Sequence, residues 1–195
     1  MIALVRHGET DANRSGLLLG RADPPLNALG RQQAGAVADA LRREAVRFIH
    51  TSPLLRARET AAQISGATGA PVEVDERLIE LDYGEWDGRP LTELPREVAA
   101  DWRADPAFAP PGGESLVALR ARVAPCAAAL LERAGEGVAV AVSHVSPIKA
   151  MVLWTLDLDD RYAWRLRLDV GSISRLSPGP SGPTLVAFND TGHLR

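Results

Sequence analysis

The chain has one cysteine, Cys126, so no internal disulfide framework can form. That cysteine sits in the Ala-rich apolar stretch 125–129 and reads as a buried structural thiol. Nucleophilic cysteine chemistry needs cationic neighbours or a helix N-terminus, which this context does not supply. No long basic run is present, and 22 Lys and Arg stand against 25 Asp and Glu for a net charge of −3. Nucleic acid and anionic membrane are therefore not expected as partners. Any anion site must be a local gathering of Arg and His. The apolar start, Ile2 to Val5, is too short for a signal peptide or a membrane anchor, so a cytoplasmic protein is expected. Four tryptophans, at 86, 102, 154 and 164, are too scattered to form a stacking platform and read as packing residues.

What is present suits one α/β domain spanning 1–195, since 46% of the residues are hydrophobic, enough for a substantial core. Ile2 to Val5 and Gly137 to Val142 are continuous apolar runs, the pattern of strands buried on both faces. Phe48 to His50 and Val72 to Val74 are further strand candidates, and 166–168, 173–176 and 185–188 close the chain as strands. Between them, Asn27 caps a helix to about Glu44, and Ser52-Pro53 opens another that Gly66 and Gly69 end. The stretch 83–112 is rich in Gly and Pro and reads as a small helical insertion with one short helix near 96–103. A long helix follows Gly112-Gly113-Glu114-Ser115, with Pro125 expected to kink or divide it, and a last helix covers about 146–156. Alternating strands and helices predict a three-layer α/β/α fold around a mainly parallel sheet.

In open α/β sheets, ligands bind beyond the carboxyl ends of the strands. The two most apolar strands each run into a histidine, in Val5-Arg6-His7-Gly8 and Val142-Ser143-His144. A third ends at His50-Thr51-Ser52 and leads into a helix bearing Arg56 and Arg58. One rim of the sheet would then hold His7, His144, Arg6 and Arg56. Two fixed guanidinium charges oppose a divalent ion, so neither metal nor other cofactor is expected. The same charges suit a phosphoryl group, whose oxygens accept forked donors from arginine.

Arg6-His7-Gly8-Glu9-Thr10 resembles the signature of the histidine phosphatase superfamily, which includes the phosphoglycerate mutases. The resemblance extends through Asn13, 20–23, 25–27, Gly30, 52–60, 80–88 and 112–115, in the family's order and across nearly the whole chain. It implies a phosphoglycerate mutase-like fold and a phosphohistidine intermediate on His7, with a backbone carbonyl holding the proton on the other ring nitrogen. Arg6, Arg56 and His144, the last as imidazolium, would hold the phosphoryl oxygens. Glu80 would be the general acid, then the base for water. Thr10, Asn13, Gly20 and Arg21 are candidates for phosphate or substrate contacts. Val145 is another, standing where relatives commonly place a glycine after the second histidine.

The 80–88 block resembles the acid phosphatase and α-ribazole phosphatase branch, and the run 144–149 resembles actinobacterial acid phosphatase domains found fused to ribonuclease H. The expected activity is metal-independent hydrolysis of a small phosphorylated metabolite, with an acidic optimum. Phosphoglycerate mutase-type transfer and non-catalytic phosphoester binding are the alternatives. No residue pattern fixes the oligomeric state.

Overall fold

The structure is a computed structural model that describes residues 1–195. Strands β1 (Ile2–Arg6), β2 (Val46–Thr51), β3 (Val72–Val74), β4 (Val138–Ser143), β5 (Ile173–Ser177) and β6 (Thr184–Asp190) form one sheet in the order β3-β2-β4-β1-β5-β6. The pairs β3-β2, β2-β4 and β4-β1 are parallel, whereas β5 and β6 add antiparallel at the β1 edge.

Side-chain alternation explains why β1 and β4 are apolar throughout. Ile2, Leu4, Ala139 and Ala141 face a core shared with helices α5 (Leu116–Ala134) and α6 (Val145–Thr155). Ala3, Val5, Val140 and Val142 face the opposite layer, made by α2 (Ala28–Leu41) and α3 (Leu55–Thr68). A strand covered on both faces has no side for polar residues, and both layers are satisfied at once.

The helix bounds follow local chemistry. Asn27 caps α2 by accepting the Gly30 N–H at 2.8 Å. Gly69 ends α3 in the left-handed region at φ 74°, where a side chain would be strained; Gly66 lies inside the helix and does not end it. Ser115 caps α5 through the Ala118 N–H.

Several expectations are corrected. Helix α3 begins at Leu55, with Leu54 as an N-cap that gives no side-chain bond. Ser52 is not the cap because the helix starts three residues later, and its hydroxyl accepts the Leu54 N–H outside the helix while contacting His144. Pro125 does not divide α5, whose flanking Val123, Cys126 and Ala127 are locked in the core. The segment 166–168 is no strand, since the Leu168 carbonyl accepts from Arg6 and joins no ladder. A one-turn helix, α1 (Asp11–Arg14), interrupts the loop after β1. The 83–112 stretch holds short 3-10 turns and helix α4 (Arg96–Ala104). Within it, Trp86 and Trp102 join Tyr83 and the later Trp164 in one aromatic cluster.

Candidate active site

Parallel pairing of β1 with β4 aligns Arg6 with Ser143, so the next residues, His7 and His144, emerge side by side. Their ring centroids are 4.9 Å apart, and both rings are buried. On the far side of β4, Thr51 of β2 pairs with Val142, which places Ser52 at the same rim.

The His7 Nδ1 lies 2.7 Å from the Gly8 carbonyl oxygen. A carbonyl only accepts, so Nδ1 carries the proton and Nε2 keeps its lone pair. Burial, followed by the charges of Arg56 and Arg6, pushes His7 well below the usual imidazole range despite that bond. The ring is thereby held neutral.

His144 Nε2 lies 2.7 Å from the Ser52 hydroxyl oxygen, and Nδ1 is buried without a partner. Burial and the neighbouring His7, Arg56 and Arg6 push His144 well below its usual value too. These effects disfavour the charged ring, against the imidazolium that the resemblance implied. A hydroxyl can donate to Nε2 or accept from it, and in the tautomer where Ser52 donates the ring presents an Nδ1–H.

Arg56 is fully buried on the first turn of α3. Its Nη1 donates to the Ala22 carbonyl at 2.8 Å and its Nη2 to the Gly20 carbonyl at 2.9 Å. Arg6 Nη1 donates to the Leu168 carbonyl at 2.6 Å. These bonds fix both guanidinium planes, while Nε of each arginine is buried and unpaired. The two Nε groups and the His144 Nδ1 thus lack partners on residues whose charge or ring acts on His7. Unpaired buried donors are costly, and an oxyanion with several acceptor oxygens satisfies such a set.

Glu80 is buried. Its Oε1 accepts the N–H groups of Leu81 at 2.7 Å and Ser146 at 3.1 Å, and its Oε2 that of Val145 at 3.1 Å. Burial raises its pKa above the usual carboxylate range, although these N–H donors and Arg56 and Arg6 oppose the shift. Arg122 of α5 anchors the segment by donating to the Arg77 and Glu80 carbonyls at 2.7 and 3.1 Å.

The remaining sequence candidates are engaged as follows. Thr10 and Asn13 cap α1 reciprocally, with Thr10 Oγ1 donating to Asn13 Oδ1 at 3.0 Å. The Gly20 and Arg21 N–H groups go to the Asp87 carboxylate at 2.8 and 2.9 Å. The Arg21 side chain pairs with Asp82 at 3.4 Å. The Val145 N–H serves Glu80. Gly20 therefore orients Arg56 through its carbonyl, and Val145 orients Glu80. Ser52, Asp87 and Arg122 were not singled out from the sequence. The Ser52-Pro53 pair had a ready reading as a helix start, and the backbone partners of Asp87 and Arg122 are 42 to 67 residues away.

A family model for the histidine phosphatase superfamily (branch 1) matches residues 2–191. The chain belongs to the histidine phosphatase superfamily. Among its curated relatives, a bifunctional protein of Mycobacterium tuberculosis is 35% identical over 99% of this chain and 54% of its own length. This histidine phosphatase chain spans about half the length of the first curated relatives it matches. Phosphoserine phosphatase 1 of Hydrogenobacter thermophilus is 32% identical over 99% of this chain and 93% of its own.

Among solved structures, mycobacterial glucosyl-3-phosphoglycerate phosphatase in complex with VO3 superposes at TM-score 0.89 and 31% identity, covering 97% of this chain and 99% of that one. Phosphoserine phosphatase from Entamoeba histolytica in complex with 3-phosphoglyceric acid gives a TM-score of 0.92 at 29% identity, covering 100% and 98%. These relatives place the chain among histidine phosphatases with a mixed α/β fold, as the sequence implied. No helix is long and apolar enough to cross a membrane.

Proposed function

We propose that this chain, as a single histidine phosphatase domain, hydrolyses phosphate monoesters of small metabolites through a phosphohistidine on His7. The carrying observation is the 2.7 Å contact between His7 Nδ1 and the Gly8 carbonyl, which leaves Nε2 unprotonated beside two arginines. Curated relatives named for phosphoserine and glucosyl-3-phosphoglycerate support the reaction class.

In the first step, His7 Nε2 attacks phosphorus, an N–P bond forms, and the bond from phosphorus to the ester oxygen breaks. Arg6, Arg56 and the His144 Nδ1–H meet the non-bridging oxygens, where charge gathers in an in-line transfer. Glu80 gives its proton to the leaving oxygen. Oε2 accepts one N–H where Oε1 accepts two, which makes Oε2 the better seat for that proton. In the second step, the Glu80 carboxylate takes a proton from water, whose oxygen bonds to phosphorus as the N–P bond breaks. Inorganic phosphate leaves, and both His7 and Glu80 return to their starting states. The guanidinium groups supply the charge stabilisation, so the route needs no metal.

Turnover of p-nitrophenyl phosphate in EDTA across pH 4 to 8, beside His7→Ala, tests this. Wild-type hydrolysis that vanishes in the variant is expected, with a base-stable, acid-labile phosphoprotein trapped on rapid quenching. A folded wild type with no turnover would overturn the hydrolase reading; phosphoglycerate would then distinguish mutase-type transfer from binding alone.

A further inference from the structure

Beside Glu80 lies a cavity of ≈ 90 Å³ whose walls include Leu18, Tyr83, Trp102, Trp164 and Lys149. It also takes in Val145 and Ser146, the residues whose N–H groups hold the Glu80 carboxylate. Its position next to the general acid is where the group attached to the ester oxygen must sit. The walls are mostly apolar and aromatic. Trp102 stacks edge-on against Trp164 at 4.7 Å and against Tyr83 at 5.9 Å, so the aromatic wall is rigid.

Lys149 is the one charged residue of α6, and the residues on either side, Ile148 and Ala150, are buried. It stands three and four residues after Ser146 and Val145, on the same face one turn along. It forms no hydrogen bond or ion pair, although Arg77, Arg120, Arg122, Arg133 and Arg175 all have carboxylate partners. Burial, then the Arg6 charge, lowers its pKa, and only Glu80 opposes this. A half-desolvated ammonium with no partner is costly to hold beside an aromatic wall. The cost is offset when an anion arrives.

We infer that Lys149 is a specificity residue that selects phosphate esters whose leaving group carries a second negative charge on a small apolar or aromatic body. The assignment rests on the phosphomonoesterase reading above. The body packs against Tyr83, Trp102 and Trp164, and the anionic group, a carboxylate or a phosphate, meets the Lys149 ammonium. The orphaned donors of Arg6, Arg56 and His144 are left for the transferred phosphoryl group.

The test compares 4-carboxyphenyl phosphate with its neutral counterpart, 4-carbamoylphenyl phosphate, by kcat/KM in wild type, Lys149→Met and Lys149→Arg. A charge-assisted contact predicts a carboxylate-over-amide ratio roughly tenfold or more higher in wild type than in Lys149→Met, with Lys149→Arg restoring part of it. 1,4-Phenylene bisphosphate in place of the carboxylate separates the two anion sources. Wild-type hydrolysis of both esters, with a ratio that Lys149→Met leaves unmoved, would overturn the Lys149 assignment and spare the phosphatase reading. Wild-type failure on every ester would sink the phosphatase reading instead. The Kd ratio of the same pair on His7→Ala, read by calorimetry, then decides Lys149 without turnover: a ratio unchanged when Lys149→Met is added to that variant would overturn it.

Discussion

The Ser52 hydroxyl sits 2.7 Å from His144 Nε2 and thereby decides which nitrogen of that ring is left to face a ligand. The two residues are 92 positions apart, and adjacent parallel strands bring them together. Ser52 also accepts the Leu54 N–H at 3.3 Å, so its own proton is free for the imidazole.

Ser52→Ala removes the group that holds the tautomer. A net hydrogen bond of about 1 kcal/mol predicts a fall of roughly fivefold in kcat/KM, with similar weakening of inhibition by vanadate. Steady-state kinetics beside a thermal melt check this, and a variant with unaltered kinetics would show that Ser52 does not set the ring.

Glu80→Gln should cost about 10²- to 10⁴-fold on an alkyl phosphate, and less on p-nitrophenyl phosphate, whose leaving group needs little protonation. The pH profile carries a sign. The proton on Glu80 is present below its raised pKa and is lost as pH rises through it. His7, lowered by burial and by Arg56 and Arg6, stays unprotonated into acid. Activity therefore peaks on the acid side of neutrality and falls as pH rises, and Glu80→Gln removes that falling limb. A wild-type rate climbing steadily above pH 7 would contradict both assignments.

The backbones of Gly8 and Gly30 touch: a Cβ on Gly8 would run into the Gly30 carbonyl, and one on Gly30 into that of Glu9. Helix α2 thus presses its first turn against the loop that carries His7. Gly30→Ala should destabilise by about 1–3 kcal/mol through overpacking. In a chain of this size each kcal/mol lowers Tm by about 2–4 °C. Activity should fall further than the unfolded fraction explains, because the clash displaces the Gly8 carbonyl that orients His7. Calorimetry and kinetics on one preparation separate the two effects.

Asp75 is mostly buried, which alone would raise its pKa, but hydrogen bonds from Arg77 and His50 outweigh this and hold it well below the usual carboxylate range. A depressed folded-state pKa contributes stability that is full above the unfolded value and lost as pH falls toward the folded one. Asp75→Asn should therefore cost about 1.5–3 kcal/mol at pH 7, the worth of a hydrogen bond to a charged group. The gap should narrow below about pH 4, the unfolded aspartate value. Urea midpoints at pH 7, 5 and 3.5 measure it, and a gap independent of pH would rule the ionic account out.

Local patterns made much of this readable. The apolar runs Ile2 to Val5 and Gly137 to Val142 announced strands covered on both faces, because no polar side chain could be tolerated there. Asn27, Gly69 and Ser115 marked helix ends through chemistry that acts over three or four residues. His7 and His144 stood out because each directly follows a buried strand, where side chains reach the ligand-binding rim.

The sequence by itself determined the layered α/β class and the family, and it singled out the four residues proposed to hold a phosphoryl group, since each is encoded in contiguous motifs. Only the tertiary structure decided the burial that disfavours charge on His144, its contact with Ser52, the tethering of Arg56 by Gly20 and Ala22, and the unpaired Lys149 beside an aromatic wall. Charge state and pairing depend on which groups share a desolvated volume, and chain separation carries no information about that.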